Sequence, residues 1–365
     1  MSHPSCPVRV RRQHGFTLLE LMIAMTIGLI VSGLIGGIYL GAKKSSRYQD
    51  ATARLQENAR FATDRIARAI RNAGYNGCGA MSRLSNVVTG GTTNWWLDLS
   101  APVKGYKSGS TFPAGIPTTG TANSVAVAGT DAFTTVGVET AGEVSVISHN
   151  PATATITTAS HGIATGAILV VSDCARTAIF QNTGSATNTV VHSAGGTATP
   201  TNCVTGLGAS CGATETNYTF KPGSSLMQLE AKAFYVGISS TGNGRSLWTV
   251  PLGNTASGNV TTTPTELIGG VDDMQIEYGV ALTTTGGAAA GLERQPNRYV
   301  GASSVAAADW PNVITMRVSL LLSTLDDNVS SSAQTYTFNN NDTTATDRRV
   351  RRSYTSVFNL RNRSQ

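Results

Sequence analysis

Glu20 poses the sharpest chemical question in this 365-residue chain. It lies five residues into an apolar run that opens at Phe16. An unpaired carboxylate in such a run costs about 3 kcal/mol on membrane-insertion scales. A membrane-depth ionisable group is a functional candidate, and Glu20 requires a partner. The cysteines come next: Cys6, Cys78, Cys174, Cys203 and Cys211. Setting aside Cys6, which falls in the N-terminal basic segment described below, four remain. They can form two disulfides in three ways. Their spacings of 96, 29 and 8 residues fit no zinc site, and no C-x-x-C occurs. The cysteines therefore read as disulfide partners in an oxidising compartment.

Other chemistries find little support. Beyond the N-terminal segment the histidines are His149, His161 and His192. None has metal spacing or sits beside a nucleophile motif, so each reads as a loop or strand-end residue. No P-loop is present, which excludes a filament-driving ATPase. Asp326-Asp327-Asn328 and Asn339-Asn340-Asn341-Asp342 offer oxygen ligands without the spacing of an EF-hand, and read as solvated turns. Arg348, Arg349, Arg351 and Arg352 read as a partner-facing or solvated edge, not a nucleic-acid site. Trp95-Trp96 is either an exposed adhesive pair or core. No catalytic residue, metal site or cofactor is expected.

The charge distribution supports this. Of the formal net charge of +6, residues 1–15 contribute +3 through Arg9, Arg11 and Arg12, and residues 16–79 contribute +4. The remaining 286 residues carry −1, so the basic pI is no sign of a nucleic-acid face. Only 13% of residues are charged, and Gly, Thr, Ser and Ala abound, which suits short strands joined by turns.

The elements that must position Glu20 follow from periodicity. Leu21 to Ala42 is 22 residues without a charge, about 33 Å as a helix and enough to cross a bilayer core. It is too long for the apolar region of a secretory signal. Lys43-Lys44-Ser45-Ser46-Arg47 closes it. From Tyr48 the pattern turns amphipathic: Tyr48, Ala51, Leu55, Ala59, Ala62, Ile66, Ile70 and Ala73 recur at spacings of three and four. Asp50/Arg54 and Asp64/Arg68 are i,i+4 pairs. One helix from Phe16 to Asn72, about 85 Å long, is predicted. Gly74 and Gly77 stop it. Gly28, Gly33, Gly36, Gly37 and Gly41 permit close helix packing in lipid or a filament. Beyond Cys78 the strand candidates are Ser124–Ala128, Phe133–Glu139, Val144–Ser148, Ala167–Ser172, Leu226–Ile238, Ser246–Leu252, Val271–Val280, Val313–Leu322 and Ser353–Leu360. Asn182–Gly212 and Thr283–Gly291 read as loops.

Gly15-Phe16-Thr17-Leu18-Leu19-Glu20-Leu21, after a basic leader and before the apolar helix, resembles the processing motif of type IV prepilins and pseudopilins. The resemblance implies that a membrane peptidase cuts between Gly15 and Phe16 and methylates the new Phe16 amine. That ammonium would then neutralise Glu20 of a neighbouring subunit, making Glu20 an assembly residue. Further patches resemble the PilW family of minor pilins. They are Arg54–Phe61, Ile70–Tyr75 with Gly77-Cys78, Ser172–Cys174 with Ala178–Phe180, Val271–Val280, Trp310, Met316–Leu320 and Phe358–Arg363.

The resulting expectation is an α+β, type IV pilin-like fold, with a long N-terminal helix, membrane-spanning in its first half, packed on a β-rich head. Its segments would be a leader at 1–15, a transmembrane or filament-core helix at 16–42, an amphipathic helix at 43–75 and a periplasmic head at 76–365. The family implies a minor pilin that helps to initiate pilus assembly. It would be stored in the inner membrane as a single-pass protein and would end at the pilus tip. Implied partners are the prepilin peptidase, other minor and major pilins, the inner-membrane assembly platform and membrane lipid, with no nucleic acid. Two alternatives stand: a minor pseudopilin of a type II secretion system, and an unprocessed membrane-anchored adhesive protein. A DNA-uptake receptor would need the arginine cluster to bind DNA.

Overall fold

The structure is a computed structural model that describes residues 15–78, 83–91, 93–108, 110–120, 123–196, 198–214, 217–281 and 295–362. The leader residues 1–14, the loop Thr283–Gly291 and Arg363 lie outside the described residues. A single α-helix runs from Leu18 to Asn72. The chain divides into two compact units at Ala51/Thr52.

In the first unit the helix buries nothing. From Leu18 to Leu40 its large apolar side chains are all exposed, from Val31 at 45% to Leu18 at 77%. A Cβ added at Gly28, Gly33, Gly36, Gly37 or Gly41 would meet no atom within 4 Å. Length and composition suit a membrane span.

In the second unit the helix is a core element. Leu55, Ala59, Ala62, Ile66, Ala67, Ala69 and Ile70 are buried. They pack on Met274, Ile276, Tyr278, Met316, Val318, Leu320 and Phe358, which belong to one four-stranded sheet. Small residues at four of these helix positions let the backbone approach the sheet closely. The periodicity predicts the same face further back, but Tyr48 is 40% exposed and Ala51 is only half-buried, so the burial starts at Leu55. The predicted Asp64/Arg68 pair forms at 2.7 Å, whereas no Asp50–Arg54 ion pair is found among the described residues. Gly74, at φ +76°, turns the chain out of the helix, and its N–H donates to the Val136 carbonyl at 2.9 Å. The Asn362 side chain donates to the Arg71 and Ala73 carbonyls at 3.3 and 3.0 Å. It satisfies helix-end groups that would otherwise lack partners.

The four-stranded sheet has the order Pro296–Gly301, Val271–Ala281, Val313–Ser323, Arg351–Asn359, all antiparallel. Its inward face carries the alternate apolar residues that pack on the helix. A larger sheet of eleven strands among the described residues is built around Ser225–Ile238, which pairs with Ala132–Asn150, Ile168–Ser172 and Arg245–Asn254. Its pairs are antiparallel except Arg83–Asn86 with Arg176–Gln181. A two-stranded hairpin, Thr335–Phe338 with Asn341–Thr344, turns through Asn339 and Asn340, both at positive φ. That is the two-residue turn that Asn tolerates best among residues with a side chain.

Two expected strands merge. Phe133–Glu139 and Val144–Ser148 are one strand, Ala132–Asn150, whose register shifts between Glu139 and Val144. Gly142, at φ +107°, sits inside that irregularity. Ser124–Ala128 is not a strand: Ser124 has φ +74°, and only Ala126 bridges, to Gly237. The loop Asn182–Gly212 contains a short strand, Thr189–Val191.

Candidate functional site

The described chain begins at Gly15, and the helix starts three residues later. Phe16 is 89% exposed. Thr17 is the N-cap. Its N–H and Oγ1–H donate to Glu20 Oε2 at 3.0 and 3.1 Å, and the Glu20 N–H donates to Thr17 Oγ1 at 3.2 Å. This is a reciprocal capping box, with Glu20 at the third helical position. The carboxylate also meets the positive end of the helix dipole. Glu20 is thus satisfied within its own chain. The T-x-x-E signature that marks this cap is plain in the sequence at Thr17 and Glu20. Gly15 and Phe16 lie together at the exposed end of this unit.

The four cysteines pair as Cys78–Cys174 and Cys203–Cys211, with Cα atoms 5.4 and 5.8 Å apart. The first ties the segment after the helix to the turn that follows the strand Ile168–Ser172. The second closes a loop of the larger sheet.

Arg349 and Arg351 of the arginine cluster are committed inside the head, whereas Arg348 and Arg352 are exposed. Arg351 lies 2.8 Å from Asp272 and 2.6 Å from Asp347, and it is only 12% exposed. The Asp347 hydrogen bond leads the causes that raise the Arg351 pKa, so it stays charged. Arg349 donates to Asn243 at 3.0 Å. Asp327 accepts from the Arg348 and Asn328 N–H groups at 2.9 and 2.6 Å, which hold its carboxyl below the usual range. The acidic turn therefore organises backbone.

The histidines hold a surprise. His149 and His192, 43 residues apart, face each other with Nε2 atoms 3.0 Å apart. His161 stands separately, its Nδ1 accepting from the Ile163 N–H at 3.2 Å. Nothing in the spacing reveals the pair, because two strand ends bring the rings together. Among the described residues no group of three or more His, Cys, Asp or Glu side chains is placed to hold a metal.

An exposed apolar helix with a capped Glu20 at its start, continuing into a disulfide-bonded β-rich head, is the architecture of a type IV pilin. Residues 10–36 match the Prokaryotic N-terminal methylation motif. Residues 233–362 match the family described as Type IV Pilus-assembly protein W. Together the two matches support a PilW-like type IV prepilin. The second match takes in the entire helix-facing sheet, together with Trp310, which packs edge-on to Tyr278 with ring centroids 5.0 Å apart. The Arg54–Cys78 and Ser172–Phe180 patches fall outside it. Both families point to a structural or assembly role and to no known enzyme family. No curated protein and no solved structure matches the chain.

Proposed function

We propose that this protein is a minor type IV pilin that helps to initiate pilus assembly. Residues 1–15 are its leader, 16–42 its membrane and filament-core helix, 43–75 the amphipathic continuation and 76–365 a periplasmic head. The prepilin peptidase cuts after Gly15 and methylates Phe16. The subunit waits in the inner membrane and is then drawn into a tip or initiation complex with other minor and major pilins on the assembly platform.

The observation that carries this reading is Glu20, held at the start of an apolar helix that buries nothing on its own. Such a surface needs lipid or neighbouring helices to leave water. A Phe16 ammonium from the adjacent subunit exceeds the neutral Thr17 donors as a partner for the carboxylate. Glu20 then sets axial register while the glycines allow close approach.

The test is N-terminal peptide mass analysis from native membranes, followed by pilus counts in a deletion strain complemented with Glu20→Ala. N-methylated Phe16 at the terminus, with Glu20→Ala processed normally but failing to restore pili, is the expected result. A chain that retains residues 1–15 beside an active prepilin peptidase would refute the reading, as would full piliation without this subunit.

A further inference from the structure

Trp95 and Trp96 lie on one 3-10 turn, Trp95–Leu97, and their rings take opposite roles. Trp96 is 5% exposed and packs with Leu97, Leu99, Val136 and Leu229 in the core. Trp95 is half-buried and lines an open cleft of about 800 Å³. Its indole N–H donates to the Ala114 carbonyl at 3.0 Å, which pins the ring across two loops. Tyr106 and Phe112 line the same cleft and are also half-buried. All three rings pack their covered sides on one small cluster that includes Ile116, Tyr235 and Trp248. They therefore line the cleft as three seated, partly exposed aromatic side chains.

Polar groups of complementary kind surround it: Asn94, Asp98 and Lys104. Asp98 Oδ1 accepts from Ser100 Oγ at 2.5 Å and from the Ala101 N–H at 3.1 Å, which fixes the carboxylate in place. Lys104 is exposed and makes no ion pair among the described residues. The cleft has the size of a small-ligand site, and its lining mixes aromatic and polar side chains.

We infer that this cleft binds a neutral saccharide, with pyranose C–H faces stacked on the aromatic rings and hydroxyls bonded to Asp98, Asn94 and Lys104. A carboxylate accepts from hydroxyls, an ammonium donates to them and an amide does both. The two charges cancel, so the cleft selects no net charge in its ligand. A purely apolar ligand would strip water from the Asp98 carboxylate and the Lys104 ammonium, which is unfavourable. A proline-rich peptide could use the rings but brings few donors for Asp98. The inference goes beyond the assembly role and does not depend on it. The head would carry a glycan-binding surface in addition to its part in the filament.

The experiment uses the full chain in lauryldimethylamine oxide, a detergent without a sugar headgroup. The probes are maltotriose, cellotriose, triacetylchitotriose and a galactose trisaccharide, with a sulfated disaccharide and a proline decamer as comparators. Saturation-transfer NMR reads ring C–H contact, and acrylamide quenching reads tryptophan access. Trp96, Trp248 and Trp310 are 5%, 6% and 7% exposed, so Trp95 carries most of the quenchable signal. Saturable transfer to at least one neutral trisaccharide, with matching protection of fluorescence, is expected. Trp95→Ala, Phe112→Ala and Asp98→Asn should each weaken it about tenfold, the effect of losing one stacked ring or one charged acceptor. Three variants guard against the misfolding of any one, and Arg317→Gln on the other sheet should bind like the parent chain. No saturable binding across the neutral panel would overturn the inference. So would binding that survives all three cleft substitutions, or tighter binding of the sulfated sugar or the proline peptide.

Discussion

The His149–His192 pair makes a pH prediction that can be worked out atom by atom. The Phe220 N–H donates to His149 Nδ1 at 3.1 Å, so that nitrogen carries no proton. His192 Nδ1 faces the Thr205 carbonyl at 2.9 Å, so it must donate. The remaining contact is then fixed: His149 Nε2–H donates to His192 Nε2 across 3.0 Å. Both rings are neutral, and every nitrogen is used. An added proton would face either the Phe220 N–H or the His149 N–H and break a bond of the chain. His149 is 8% exposed and His192 fully buried, against Phe180 and Phe220. Burial pushes each down to about 4, with the neighbouring ring adding to the effect on His192.

The unfolded chain protonates these rings near pH 6.5, whereas the folded chain resists until about pH 4. Below pH 6.5 the unfolded state binds more protons, so stability falls with pH through that window and is flat above it. At pH 5 each ring withholds about 2 kcal/mol, and the pair at most roughly 4 kcal/mol. That is a large share of the stability of a typical domain. The assay is urea unfolding of the oxidised, detergent-solubilised chain at pH 7.5, 6 and 5, followed by tryptophan fluorescence. The double variant His149→Leu/His192→Leu should be weaker than the parent at pH 7.5, because the Phe220 N–H and Thr205 carbonyl lose partners. It should also lose much less between pH 7.5 and 5. A parent midpoint that does not move over this range would refute the reasoning, as would a double variant that falls as steeply as the parent.

Three further outcomes are expected. Cys78→Ser/Cys174→Ser should destabilise the oxidised head by about 4–5 kcal/mol and Cys203→Ser/Cys211→Ser by about 2–3 kcal/mol, because the first bridge closes 96 residues and the second 8. Denaturation of the two variants checks the order, and equal losses would contradict it. Gly137→Ala should cost about 1–3 kcal/mol, because a Cβ there runs into the Asn72 carbonyl where the helix end meets the sheet. Gly28→Ala, with open space around it, should leave the head's thermal midpoint unchanged. Arg351→Met should cost about 3 kcal/mol by stranding Asp272 and Asp347, and adding Asp272→Leu should restore part of it. A double-mutant cycle that shows no coupling would refute that account.

What the sequence revealed depended on whether a feature was local. The helix was legible because Leu55, Ala59, Ala62, Ile66 and Ile70 repeat at its own period. Val271–Ala281 and Val313–Ser323 were legible because their alternation is long and uninterrupted. The pattern separates Phe133–Glu139 from Val144–Ser148, whereas the strand absorbs the positive φ of Gly142 as an irregularity and continues. Strands of three or four residues, such as Arg83–Asn86, carry too little pattern to be seen. The histidine pair and the cleft were invisible for another reason. Each is assembled from loops and strand ends whose meeting is decided by sheet order.

Glu20 shows how far a local signal can reach when its physical meaning is followed. Its place in an apolar run implies a partner, and the sequence suggests a cation from a neighbour. The structure adds a partner within the chain, Thr17. A subunit waiting alone can therefore keep its helix start intact, since a capping residue contributes about 1 kcal/mol. Under the proposed function, exchange of Thr17 for a Phe16 ammonium would convert a weak local cap into a charge pair between subunits. The same side chain would then serve storage and assembly in turn, and the difference in strength between its two partners favours assembly.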